Sequence, residues 1–300
     1  MRVKKKLLPE NNYFCELGYC CVMAQEFVKH YCQGDVSNLS NFSFLKIIGD
    51  EKFGDIGKTG GKRKFACVAN TNIAKAIYFI LFAEKLPNLS VEDLFEKSIY
   101  YKGVYLNNFS TLFGEDYSLK TINKIFSEEE YAHFREKISN FYQKCNTIGN
   151  FIILPELRTQ KGERINKNYE LADFNSYFNV FLDELNKVFE DSTEKDIGLA
   201  QLIKENEFYF DSYYIDMNIR DFCSLNLVQD YITDEFFSSQ VFKNPLTFSD
   251  INQESNKNLK SEYVKFATIY MEKVEKIIDN RSQYIISVLK DKLNYSLKKV

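Results

Sequence analysis

The densest concentration of chemistry-bearing residues is the stretch Gly54-Asp-Ile-Gly57-Lys58-Thr59-Gly60-Gly61-Lys62-Arg63-Lys64. A phosphate cradle needs exposed backbone N–H groups, a lysine for the outer phosphates and a hydroxyl for Mg²⁺, and Gly57-Lys58-Thr59 imitates the end of such a motif. The spacing fails, because the glycine required ahead of the lysine is replaced by Lys52, and Gly60 and Gly61 delay the helix that should come next. A nucleotide P-loop is therefore not expected. Lys58, Lys62, Arg63 and Lys64 are instead candidate contacts to an anionic partner such as nucleic acid, set against a plain solvated loop.

Groups for acid–base or nucleophilic work are scarce. His30 and His133 are the two histidines, both within helical patterns and without an adjoining nucleophile. A Cys145–His133 pair would have to be assembled by the fold. The seven cysteines are odd in number, lack a Cys-x-x-Cys pair and stand in apolar surroundings, which suits small core hydrophobes in a reducing cytoplasm. The alternative, a metal cluster of Cys15, Cys20, Cys21 and Cys32, matches no common zinc spacing and cannot converge from one helix. Glu207 with Asp211, and Asp216 with Arg220, read as a solvated face because no Glu-x-x-His accompanies them. No metal or cofactor is expected. The aromatic run from Phe208 to Tyr214 lacks interleaved Lys or Arg and reads as core rather than as a base-stacking platform.

The elements that must position these groups are set by composition and periodicity. The chain has 300 residues, 45% hydrophobic and 27% charged, which excludes a disordered or collagen-like protein. It contains 4 Pro where average usage of about 5% gives roughly 15, so long stretches lack the strongest helix breaker. A net charge of −3 gives no global attraction to phosphate backbones or anionic membranes. Arg2 and Lys4 to Lys6 are followed by two leucines and Pro9, so no secretion signal is read. The longest apolar run, Ala76 to Ala83, falls far short of the about 20 residues a bilayer span needs.

Three-and-four apolar spacing predicts helices over 13–31, 72–86, 127–145, 171–189, 196–206, 217–232 and 234–242. Ser127 with Glu128 to Glu130 is read as the capped start of the third. A final stripe over 259–293 slips near Asn280 to Gln283, which allows two helices or one kinked one. Phe151 to Leu154, closed by Pro155, is the best strand candidate, with 42–48 and a hairpin over 100–113 as further ones. The expected fold is mainly α with a small β element near 148–155. One integrated domain, 1–300, is expected; a division would separate 1–145 from 146–300.

The segment Cys145-Asn-Thr-Ile-Gly-Asn-Phe-Ile-Ile-Leu-Pro155, then Ile165-Asn166, Leu171-Ala172-Asp173 and Leu227-Val228-Gln229-Asp230, resembles a bacterial family of unknown function. That family carries a Thr-Ile-Gly-apolar-Pro strand, an Ile-Asn turn, an aspartate-bearing helix and a Leu-x-Gln-Asp helix, and the likeness spans about 145–285. This chain departs from it after Asn166, where Asn168-Tyr169 replaces Arg-Gly. The Ile-Gly-Asn-apolar-Leu-Pro pattern is also similar to the later half of HNH-type nucleases, whose catalytic histidine half is missing here. The resemblance implies a shared fold, a bacterial cytoplasmic setting and, with the AT-rich residue usage, an accessory locus such as a phage-defence or prophage region.

The 146–168 segment has two readings. Asn146 can cap the preceding helix, Gly149 can adopt left-handed backbone, and Asn150 and Asn166 can tie the turn together. Alternatively Asn146, Asn150, Arg158, Asn166 and Asp173 line a small polar pocket. The function expected is that of a non-catalytic binding or regulatory protein with a protein partner and no membrane contact. The alternative is an enzyme or binder acting on nucleic acid or nucleotide through loop 54–64, including a degenerate HNH-like relative.

Overall fold

The apolar stripes set the helices. In the computed structural model, which describes residues 10–54, 71–82, 84, 104–108, 119–155, 178–190, 217–239, 251 and 257–297, the chain is mainly α-helical. Helix α1 (Glu10–Tyr31) turns Cys20, Cys21, Ala24, Phe27 and Val28 inward. It ends where Gln33 and Gly34 take left-handed backbone, φ 56° and 80°. The Gly34 N–H then reaches the Val28 carbonyl at 3.0 Å, a Schellman closure that satisfies a terminal acceptor. Helix α2 (Asn72–Phe82) is buried almost all round, which is why its sequence reads as an unbroken apolar run.

The β element near 148–155 is present as β2 (Phe151–Pro155), which pairs antiparallel with β1 (Val104–Asn108). The β element expected over 100–113 is present in its described part, but as a strand paired with β2. Residues 104–108 form one strand whose partner lies in 151–155, with Asn108 opposite Phe151 and Val104 opposite Pro155. The strand expected over 42–48 is corrected. Val36–Asn41 and Phe44–Ile47 are 3₁₀ turns, and Phe44 and Ile47 are buried at a period of three rather than two.

Helix α3 (Leu119–Ile125) precedes a 3₁₀ turn, Glu129–Tyr131, and helix α4 (Ala132–Cys145). The Ser127 cap is not what starts this element. The Arg135 guanidinium reaches back instead to the carbonyls of Phe126 and Glu128, the latter at 2.8 Å. Helix α5 (Phe178–Phe189) buries Phe178, Phe181, Leu182 and Leu185 as the stripe requires. The helix expected over 217–232 is two, α6 (Ile219–Asn226) and α7 (Asp230–Thr233), because Leu227 takes φ 57° and ends the first. Helix α8 (Glu235–Ser238) comes next, and the helix expected over 196–206 lies outside the described residues.

The slip near 280 breaks nothing. Helix α9 (Lys257–Leu297) runs unbroken for 41 residues, about 60 Å at the α-helical rise. Its apolar face continues through positions 277, 278, 281, 282 and 285, where Arg281 and Ser282 are buried in the same stripe as Ile277, Ile278 and Ile285. Two hydrophobic clusters share this helix. Tyr263 to Ile278 pack with α4, α5 and α6, whereas Ile285, Leu289 and Leu293 pack with α1, α2 and the first 3₁₀ turns. Strand β2 divides its residues likewise, Phe151 to the second cluster and Ile152 to the first, as alternation across a strand demands. Helix α4 lies parallel to α9, since Lys137 pairs with Glu272 and Lys144 with Asp279, seven residues on in both.

Candidate functional site

The segment 145–155 begins at the C-terminus of α4, where four backbone carbonyls have no partner within the helix. The residues just beyond the helix supply their donors. Asn146 gives its side-chain amide to the Tyr142 carbonyl at 2.6 Å and its backbone N–H to Gln143 at 3.2 Å. Thr147 gives both N–H and hydroxyl to Lys144, and Asn150 gives its amide to Cys145 at 2.9 Å. Asn146 also accepts the Phe44 N–H at 2.9 Å through its own carbonyl, which ties α4 to the N-terminal cluster. The cap expected of Asn146 is therefore present. Asn150 is fully buried and Asn146 nearly so. Arg158, Asn166 and Asp173, expected to complete a polar pocket with them, lie outside the described residues.

Gly149 is not left-handed, which corrects that expectation; it stands in the 3₁₀ turn Ile148–Asn150. What requires glycine is proximity. A Cβ there would collide with the Ile278 carbonyl oxygen and the Ser282 hydroxyl of α9.

Beneath this turn lies Arg281, 2% exposed, at the point of α9 where the two clusters meet. Its Nε donates to the Asn226 carbonyl at 2.8 Å and its Nη2 to the Phe151 carbonyl at 2.8 Å, while Nη1 donates to the Gly149 carbonyl. The buried Tyr78 hydroxyl is within bonding distance of the Ile148 carbonyl, at 2.9 Å, and of the Phe151 carbonyl, with one proton to give. Burial raises the pKa of that hydroxyl and keeps it a donor. One guanidinium thus fastens α6, β2 and the turn before β2 to α9. Sequence reasoning missed Arg281 because it stands in an apolar stripe, where it read as a slip; a cation on the inward face of a helix is itself the signal.

A cleft of about 130 Å³ opens beside Arg281. Leu81 and Phe82 from the end of α2 form one wall, Ile285 and Val288 from α9 the other, and Leu227 closes one side. Leu227 is one of two described non-glycine residues with positive φ, so the strained backbone lies at the cleft. Tyr284, 39% exposed, lines it too. Lys292 and Glu84 line it as well and form an ion pair at 3.0 Å, with the Glu84 side chain the more exposed. Glu84 and Lys292 were not picked from the sequence, because they are ordinary helix charges until the fold joins them across 208 positions of chain.

The remaining sequence candidates are separated by the fold. His133 is exposed near the start of α4 and Cys145 is buried at its end, about 18 Å apart along the helix axis, too far for a dyad. His30 is exposed on α1, with its ring edge-on to Tyr31. Burial pushes the Cys32 thiol up to about 11, helped by Asp35, and the Cys223 thiol up to about 12. Cys145 is raised well above the ordinary value, by burial first and by Glu275 second. Thiols so placed are neutral at pH 7 and poor nucleophiles. Among the described residues no group of three or more His, Cys, Asp or Glu side chains could hold a metal ion, and no helix is long and apolar enough to cross a membrane. Lys58, Lys62, Arg63 and Lys64, with Glu207 to Tyr214, lie outside the described residues. Compared with family models, with curated proteins and with solved structures, the chain matches none.

Proposed function

We propose that the chain is a non-catalytic binding protein that works through a protein partner. The observation that carries this reading is how the buried polar groups of the turn between α4 and β2, and Arg281 beneath it, are used. The side-chain amides of Asn146 and Asn150, the Thr147 hydroxyl and the Arg281 guanidinium all donate to backbone carbonyls. A segment so employed builds a rigid junction, and the chemistry of the molecule is left to its surfaces.

The test is isolation of the tagged full chain from its host at moderate salt, with nuclease added, then gel filtration and mass spectrometry. A protein that co-elutes at fixed stoichiometry after nuclease treatment is the expected result. Co-elution of nucleic acid that is lost at high salt, or turnover of a nucleic acid or nucleotide by the purified chain, overturns the reading in favour of an acting site on loop 54–64.

A further inference from the structure

We infer that the cleft between α2, Leu227 and α9 binds a small aryl or branched-alkyl carboxylate, with the apolar body against Leu81, Phe82 and Val288 and the carboxylate on Lys292. The inference deepens the binding reading, since it supplies that protein with a small-molecule ligand, but its test involves no protein partner.

Three observations converge. The first is size. An apolar cavity of about 150 Å³ takes up benzene, and this cleft measures about 130 Å³. The second is charge. Lys292 and Arg281 give the lining two cations against the single carboxylate of Glu84, and Lys292 is held at the wall with its side chain 23% exposed. A carboxylate entering the cleft replaces Glu84 as the partner of Lys292 and leaves Glu84, 65% exposed, to water. That exchange keeps the ammonium paired while the apolar body leaves solvent. The third is backbone. Leucine in left-handed conformation is disfavoured, yet Leu227 adopts it, and the same bend brings the Asn226 carbonyl onto Arg281 and puts Leu227 at the cleft.

The probe is 4-fluorobenzoate, observed by ¹⁹F NMR with the full chain, beside 4-fluorobenzylamine, which has the same ring and the opposite charge. Saturable binding of the carboxylate and weaker binding of the amine are expected. K292Q should weaken the carboxylate by about tenfold, the loss of one charge-assisted contact, and E84Q should tighten it. V288W, which fills the cleft from a half-buried position, should abolish binding; circular dichroism confirms its fold, and K292Q carries the test if V288W does not fold. No saturable binding up to about 10 mM, equal binding of the amine, or undiminished affinity in K292Q overturns the inference. A protein partner that still co-purifies with K292Q would then leave the binding reading standing, so the two failures are distinguishable.

Discussion

Replacing Arg281 by methionine tests whether the buried guanidinium is the fastening that the geometry makes it. Methionine keeps most of the side-chain length and removes all of its donors. The Phe151 carbonyl retains the Tyr78 hydroxyl, but the Gly149 and Asn226 carbonyls lose the donors described for them. Each buried acceptor left without a partner costs about 1–3 kcal/mol. Relief of the buried charge offsets part of this, and removing one side of such an arrangement costs about 3–5 kcal/mol overall. With a urea m-value of about 3 kcal/mol/M, the unfolding midpoint should fall by about 1–1.7 M at unchanged slope. Far-UV and near-UV circular dichroism would monitor the transition. R281K, which keeps the charge but not the fork, should fall between methionine and wild type. A midpoint within about 0.3 M of wild type for R281M would refute the reasoning, because the carbonyls would then not depend on the guanidinium.

Further outcomes are expected at neighbouring groups. G149A should be destabilised by about 1–3 kcal/mol, since its Cβ meets α9 backbone that cannot swing aside, and urea unfolding reads this directly. Y78F should lose about 1–2 kcal/mol, and its double mutant with R281M should be non-additive because both side chains serve the Phe151 carbonyl; a double-mutant cycle measures the coupling. The raised thiols of Cys32, Cys145 and Cys223 favour the neutral form in the folded state. Native protein therefore binds more protons than unfolded protein above the ordinary thiol value of 9.0, and stability should fall as pH rises from about 9 towards the folded values. In the same way burial raises Glu275, so E275Q should be more stable than wild type at pH 7 and the difference should shrink in acid; thermal unfolding at pH 4 and pH 7 decides it.

What was legible in the sequence is what local spacing dictates. The α1 and α5 stripes bury the residues their periodicity selects, and Pro155 closes the strand that the run before it announces. Asn146 caps α4 through a bond that spans four residues. What was not legible depends on partners far along the chain. Residues 104–108 read as β from the sequence, but their pairing with 151–155 did not, and Gly149 is required by a helix more than a hundred residues away. The 42–48 run lacked a described strand to pair with and wound into a 3₁₀ turn. Arg281 broke the apolar pattern to the eye while obeying its period, because its burial is made tolerable by carbonyls from α6 and the β2 region. The cleft beside it was equally hidden, being assembled from the ends of two helices and one bent linker.

That α9 walls both clusters also dictates an order of events during synthesis. The Tyr78 and Arg281 side chains that meet at the junction are 203 residues apart, and Gln25 meets the Leu293 carbonyl across 268. At a translation rate of about 5–20 residues per second, the apolar faces of α1 and α2 wait for about 10–50 s before their covering helix leaves the ribosome. Neither cluster is complete until residues of α9 join it. An aromatic-rich nascent chain whose clusters are completed by so late a keystone keeps apolar surface open through most of its elongation, which is the condition under which nascent chains engage chaperones.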